Sequence, residues 1–283
     1  MSKNALPVGV FDSGLGGLTA VRQIEALLPH EDVLYFGDTG RLPYGTRSPA
    51  IIRRYACDDM NFLLTHKVKA VVVACGTVSS TALDVLKERF DVPIIGVVEP
   101  AAALAVSLSK KKRVGILATP STVRSGAFER AIAAADETVG VQGVGCPLFV
   151  PLVENGYISA GDPVTTVIAR EYAGKLADFA PDVIILGCTH YPIIRPLIEE
   201  AARELIGESV VTVDSGAAAA MALKTYLEET GTKTDKKTPG KTDFYVSDDP
   251  EGFERVATLF LGRRVESAKR IDIGDYLWHG SEP

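Results

Sequence analysis

Seven short runs rich in β-branched residues recur along the chain: VGVFD (8–12), VLYFGD (33–38), AVVVAC (70–75), PIIGVV (93–98), RVGILAT (113–119), DVIILGC (182–188) and SVVTVD (209–214). Each is almost continuously apolar rather than alternating, the pattern of a strand buried on both faces. Between them lie stretches with helical spacing: LTAVRQIEALL (18–28), SSTALDVLKERF (79–90), GAFERAIAAA (126–135) and IIRPLIEEAAREL (194–206). Strands hidden on both faces need helices to cover them. The alternation therefore predicts an α/β fold of doubly wound, mainly parallel sheets.

An internal repeat sharpens that expectation. VGVFDSGLGGLTAV opens the first half and VGILATPSTV the second, and each is followed by an apolar strand that ends in cysteine with threonine close behind. The openings lie 106 residues apart (Val8 to Val114) and the cysteines 113 (Cys75 to Cys188). Such matched offsets predict two similar α/β units related by pseudo-two-fold symmetry. The polar stretch TGTKTDKKTPGKTD (230–243) reads as an exposed loop, and FYVSDDPEGFERVATLFLG after it as a late strand and helix completing one of the units.

Bulk properties remove several function classes. With 283 residues, 46% of them hydrophobic, the chain can bury a core for two domains or one large one. The formal net charge is −6, and the only basic block is KKKR (110–113). Phosphate backbones demand a basic face, so nucleic acid is not an expected partner. The N-terminus lacks a signal-peptide pattern and no apolar run is long enough to span a bilayer, so the expected address is cytoplasmic, away from membranes. Four cysteines in such a chain make no disulfide framework there, none is spaced as CxxC, and only His190 lies near one. No metal site is expected.

Thiols that are neither bridged nor metallated are core filler or chemistry. Cys57, within the helical RRYACDDM, and Cys146, before Pro147, read as filler. In open parallel sheets, ligands sit beyond the carboxyl ends of the strands, and Asp12, Asp38, Cys75, Thr119 and Cys188 all fall there. Two units facing each other would set Cys75 and Cys188 on opposite walls of one cleft. A thiol's ordinary pKa, about 8.5, allows it to give or take protons near neutrality. A nucleophilic enzyme needs one cysteine and a base. Inverting a carbon stereocentre needs a proton removed from one face and delivered to the other, which two opposed thiols can do in both directions.

DSGLGG (12–17), RLPYGTRS (41–48), ACGTVSS (74–80), VPLVENG (150–156) and GCTHYP (187–192) together resemble the signature segments of bacterial glutamate racemases, within the aspartate/glutamate racemase superfamily. The resemblance runs from Val8 to the tail. It implies racemisation of free glutamate without pyridoxal phosphate or metal, in support of peptidoglycan synthesis, by a homodimer. It implies a first α/β domain of 1–98 completed by 210–283, and a second of 99–209. By similarity Cys188 removes the α-proton of the L-isomer and Cys75 that of the D-isomer, with Asp12 beside the first thiol and Glu154 and His190 beside the second. Asp12, Ser13, Tyr44, Gly45, Gly76, Thr77, Thr189 and His190 would contact substrate. Locally, Asp12 also reads as a cap for a helix starting near Leu15, His190 as a helix start, and ENG and PYG as turns. The family usually carries asparagine where this chain has Gly76, which removes an amide donor.

Alternatives remain at the level of sequence. GLGGL after the first strand and Asp38 after the second resemble parts of a dinucleotide site, but GxGxxG fails because Thr19 occupies the last position. A two-lobed binding protein without chemistry has no use for paired thiols. A racemase of a related amino acid such as aspartate, or a decarboxylase or one-thiol lyase, completes the set.

Overall fold

The computed structural model describes residues 3–265 and 267–280; Glu266 and the ends of the expected first domain, 1–2 and 281–283, lie outside the described residues. Its strands are β1 (Val8–Asp12), β2 (Val33–Gly37), β3 (Ala70–Val73), β4 (Ile94–Gly96), β5 (Arg113–Ala118), β6 (Gly140–Gly145), β7 (Val183–Leu186), β8 (Val211–Asp214), β9 (Thr242–Val246) and β10 (Ala268–Arg270). They form two sheets, of order β10-β9-β2-β1-β3-β4 and β6-β5-β7-β8. Every pairing described is parallel. The fold is α/β, as the apolar runs require.

The sequence repeat is a topological repeat. In each sheet the first strand is central, the second lies on one side of it, the third on the other, and the fourth outside the third. The tail contributes β9 and β10, which extend the first sheet beyond β2. The expected return at residue 210 comes one strand too early. Val211–Asp214 pairs in register with Val183–Leu186, so β8 belongs to the second sheet and covers the outer edge that β7 would otherwise leave open.

Several local expectations shift for physical reasons. The single helix expected over 79–90 starts earlier, at Gly76, and breaks at Ala82 into Gly76–Thr81 and Leu83–Arg89. Ser79 draws the first piece inward, its hydroxyl donating to the Val73 carbonyl and accepting from the Val97 N–H. Strand β6 went unanticipated because GVQGVG carries little apolar mass, which suffices for a strand on the sheet edge. No described helix is long and apolar enough to cross a membrane.

One hydrophobic cluster runs through both sheets. Val10 and Val72 of the first, Leu117 and Leu186 of the second, and Leu223 of the helix Ser215–Glu229 are all part of it. That helix packs on both Leu18–Leu27 and Val98–Leu108, so it ties the lobes together directly after β8. The lobes therefore share a core rather than merely touching. Leu223→Ala is expected to cost about 2–5 kcal/mol and to lower the midpoint of a single cooperative urea transition. Two separated transitions, only one of them moved, would contradict the shared core.

Candidate active site

In a strand order of this kind the connections after the first and third strands depart toward opposite sides, and a crevice opens between the carboxyl ends of those two strands. In the first sheet that crevice is bordered by Asp12, Ser13 and Cys75, and in the second by Thr119 and Cys188. The two crevices meet. Thr77 and Thr119 approach to 3.3 Å between hydroxyls, and the Thr19 hydroxyl donates to the Thr189 carbonyl at 2.9 Å. A Cβ at Gly16 would overlap the Thr189 hydroxyl and stand 2.6 Å from His190 Nδ1, so only glycine lets the loop reach the other lobe here. Cys75 and Cys188 lie on this seam, 6% and 7% exposed.

On the first wall, Cys75 directly precedes the helix Gly76–Thr81 in extended conformation, and its S–H donates to Ser13 Oγ at 3.4 Å. Burial, and after it the charge of Asp12, push the Cys75 thiol up to about 11. Asp12 is itself pushed up by burial, against the opposing pull of His190. Its Oδ2 accepts from the Gly14 N–H at 3.0 Å, while Oδ1 has no partner among the described residues. Asp12 does not cap the following helix, which starts at Leu18 after Gly17. A buried carboxylate oxygen without a donor is costly to keep. It leaves a proton acceptor uncommitted beside a thiol.

On the second wall, Cys188 Sγ lies 3.9 Å from His190 Nδ1, and His190 Nε2 lies 3.1 Å from Glu154 Oε1. The imidazole is held edge-on against Phe260, with ring centres 5.1 Å apart. His190 immediately precedes the 3-10 turn Tyr191–Ile194, yet its side chain makes no capping bond and is free to face the thiol. The chain Cys188–His190–Glu154 runs outward: the imidazole side chain is 9% exposed and the Glu154 side chain 38%. Burial, followed by the charges of Cys75 and Asp12, pushes the Cys188 thiol upward as well. Each thiol thus has a different ionisable neighbour.

The remaining expected contacts divide. Thr77 and Thr189 are buried on the seam, and the space beside Gly45 opens toward the Thr77 hydroxyl, 4.0 Å from where a Cβ would stand. The Tyr44 hydroxyl is turned away. It bonds Asp38 and lies 3.1 Å from Asp59, so the hydroxyl is committed to that cluster and the contact expected of Tyr44 would come from its backbone. Arg41 holds the same cluster together, with Nε 2.6 Å from Asp38, Nη1 2.6 Å from Asp58 and Nη2 2.8 Å from Asp59. Asp38, fully buried and bonded to Arg41 and Ser247, has no oxygen to offer a ribose. With Gly16 filled by the other lobe, the dinucleotide alternative loses both of its features. Cys57 and Cys146 are wholly buried, as core filler should be. Thr19 was missed, since a lone hydroxyl in an amphipathic helix gives no sign that it reaches another lobe. Among the described residues no cluster of three or more His, Cys, Asp or Glu could hold a metal ion.

Known proteins resemble this chain in sequence and in fold. The family described as Asp/Glu/Hydantoin racemase matches residues 18–223. Glutamate racemase of Geobacter metallireducens is 39% identical over 266 residues, covering 94% of this chain and 96% of that protein. Glutamate racemase from Francisella tularensis subsp. tularensis SCHU S4, solved in complex with D-glutamate, matches with a TM-score of 0.87 at 35% identity, covering 96% of this chain and 100% of that one. The enzyme from Thermus thermophilus, solved in complex with beta-chloro-D-alanine, matches with a TM-score of 0.84 at 41% identity, covering 96% and 99%.

The electrostatics of the first wall are open to direct measurement. Asp12→Asn removes the second largest cause of the raised Cys75 pKa and leaves burial in place. The Cys75 titration, read as the thiolate absorbance difference between each protein and its Cys75→Ala counterpart, should then move down from about 11 without reaching the ordinary thiol value. An unmoved titration would show that the carboxylate does not act on this sulfur.

Proposed function

We propose that this chain, which belongs to the Asp/Glu/Hydantoin racemase family, interconverts L- and D-glutamate by passing the α-proton between two thiols, without pyridoxal phosphate or metal. The choice of glutamate is supported by the relatives named for that activity and by the D-glutamate complex of one of them. What carries the two-thiol chemistry is that cysteines from separate lobes border one seam, each beside a different proton acceptor.

In the direction from L to D, Cys188 as thiolate takes the α-proton, and Cys75 as thiol returns a proton to the opposite face of the carbanion. The reverse reaction exchanges the roles. A carbon acid needs a strong base, and a thiol held near 11 gives a stronger base than an ordinary cysteine. The drawback is that thiolate is scarce at pH 7, by about 5 kcal/mol for a gap of four pH units. The substrate's α-ammonium, entering between the walls, would offset part of that by favouring a nearby negative charge. Asp12 can receive the proton of Cys75, and His190 that of Cys188, with Glu154 holding the imidazole and linking it to solvent. Ser13, the Tyr44–Gly45 backbone, Thr77 and Thr189 would orient the substrate's polar groups. The same proposal makes the protein a cytoplasmic homodimer whose product, D-glutamate, serves peptidoglycan.

Purified protein with no added cofactor should abolish the circular-dichroic signal of L-glutamate, and act far more slowly on L-aspartate. Cys75→Ala and Cys188→Ala should each lose racemisation by about 10²–10⁴-fold, the usual contribution of a positioned acid or base. Full activity in either variant would overturn the two-thiol chemistry, and faster loss of the aspartate signal would transfer the substrate to the alternative amino acid.

A further inference from the structure

We propose that Gly76 is a positioning residue: the absence of a side chain there lets the two lobes close until backbone meets backbone, and that contact sets the separation of the two thiols. Gly76 directly follows Cys75, and Gly187 directly precedes Cys188. A Cβ on Gly76 would overlap the Gly187 carbonyl oxygen. The obstacle is main chain, which cannot swing aside as a side-chain tip can. Gly187 has little room to retreat, because its N–H is bonded to the Leu117 carbonyl at 2.8 Å. Behind it, Phe128 Cε2 and Ala118 Cβ come within 2.9 and 3.0 Å of where its own Cβ would stand.

Conformation does not explain the glycine. Gly76 is not among the glycines with positive φ, so its backbone could carry an L side chain without strain. Space is what it supplies. The contact joins the nearest chain neighbours of both sulfurs and is flanked on its own helix by the Thr77–Thr119 approach, so any widening here is transmitted directly to the thiols. A side chain at 76 would have to move the lobes apart by about an ångström before the contact became ordinary. A misplacement of that size can cost about 10²-fold in rate.

The effect on turnover rests on the racemase function proposed above; the effect on the seam does not. Gly76→Ala and Gly76→Asn should each lower kcat by about 100-fold, with KM little changed and some loss of melting temperature from the overlap. Asparagine is the informative variant, because restoring a family donor should raise activity if only hydrogen bonding matters at this position, whereas it should lower activity if closure does. Alkylation of Cys75 and Cys188 by iodoacetamide, followed by peptide mass spectrometry, reads the seam without any turnover. Both thiols should react about tenfold faster in the variants, while Cys57 and Cys146 stay protected. Parental alkylation rates in both variants, or an asparagine variant as active as the parent or better, would overturn the proposal. If the parent itself does not racemise glutamate, the function proposed above fails and the alkylation rates still decide the role of Gly76.

Discussion

Parallel strands deliver all their carboxyl ends to one edge of a sheet, and this site exists because two such edges are packed against each other. Loops at a strand's carboxyl end carry uncommitted main-chain donors and start the next helix, so they are where a ligand can be held. Here the loops after β1 and β3 meet those after β5 and β7. Two glycines, Gly16 and Gly76, allow the approach where any side chain would intervene. The shared core through Leu117, Leu186 and Leu223 holds the edges in place, so the seam is a product of folding rather than a surface encounter.

Closing the seam excludes water, and the groups inside respond to that loss. Cys75, Cys188 and Asp12 are all pushed upward, each chiefly by burial, because no nearby cation fully compensates for the missing solvent. A structural site of this size would normally have traded such groups for apolar ones. The Arg41 cluster shows what the fold does when charges are kept for structure: each of its three carboxylates receives a guanidinium nitrogen, although burial still pushes Asp59 well above the usual carboxylate range. Asp12 receives no guanidinium or ammonium nitrogen, only backbone N–H groups, and its Oδ1 has no partner among the described residues. That contrast separates the site from its support.

Much of this was legible in the chain, and the boundary has physical causes. Strand identity and the strand-end position of Cys75 and Cys188 follow from apolar runs that stop at Gly, Thr and Ser, and strong local patterns of that kind survive folding. The repeat between Val8 and Val114 foretold the repeated strand order. The sheet to which β8 belongs could not be read, because strand propensity does not say which edge a strand joins. The direction of the Tyr44 hydroxyl depends on Asp38 and Asp59, which the fold brings to it from a strand end and from a helix. The Thr19 contact and the overlap at Gly76 arise only when the lobes come together. His190 and Glu154 lie 36 positions apart, and only the family resemblance brought them together in advance.

The central claim is that protons reach and leave a single carbon from opposite sides. In D₂O, with unlabelled L-glutamate and a short reaction time, the α-deuterium content of each enantiomer can be measured separately by chiral chromatography with mass detection. Two opposed thiols should place deuterium in the newly formed D-glutamate while the recovered L-glutamate stays almost unlabelled. Equal early labelling of both enantiomers would mean that one group serves both faces, and would contradict the account.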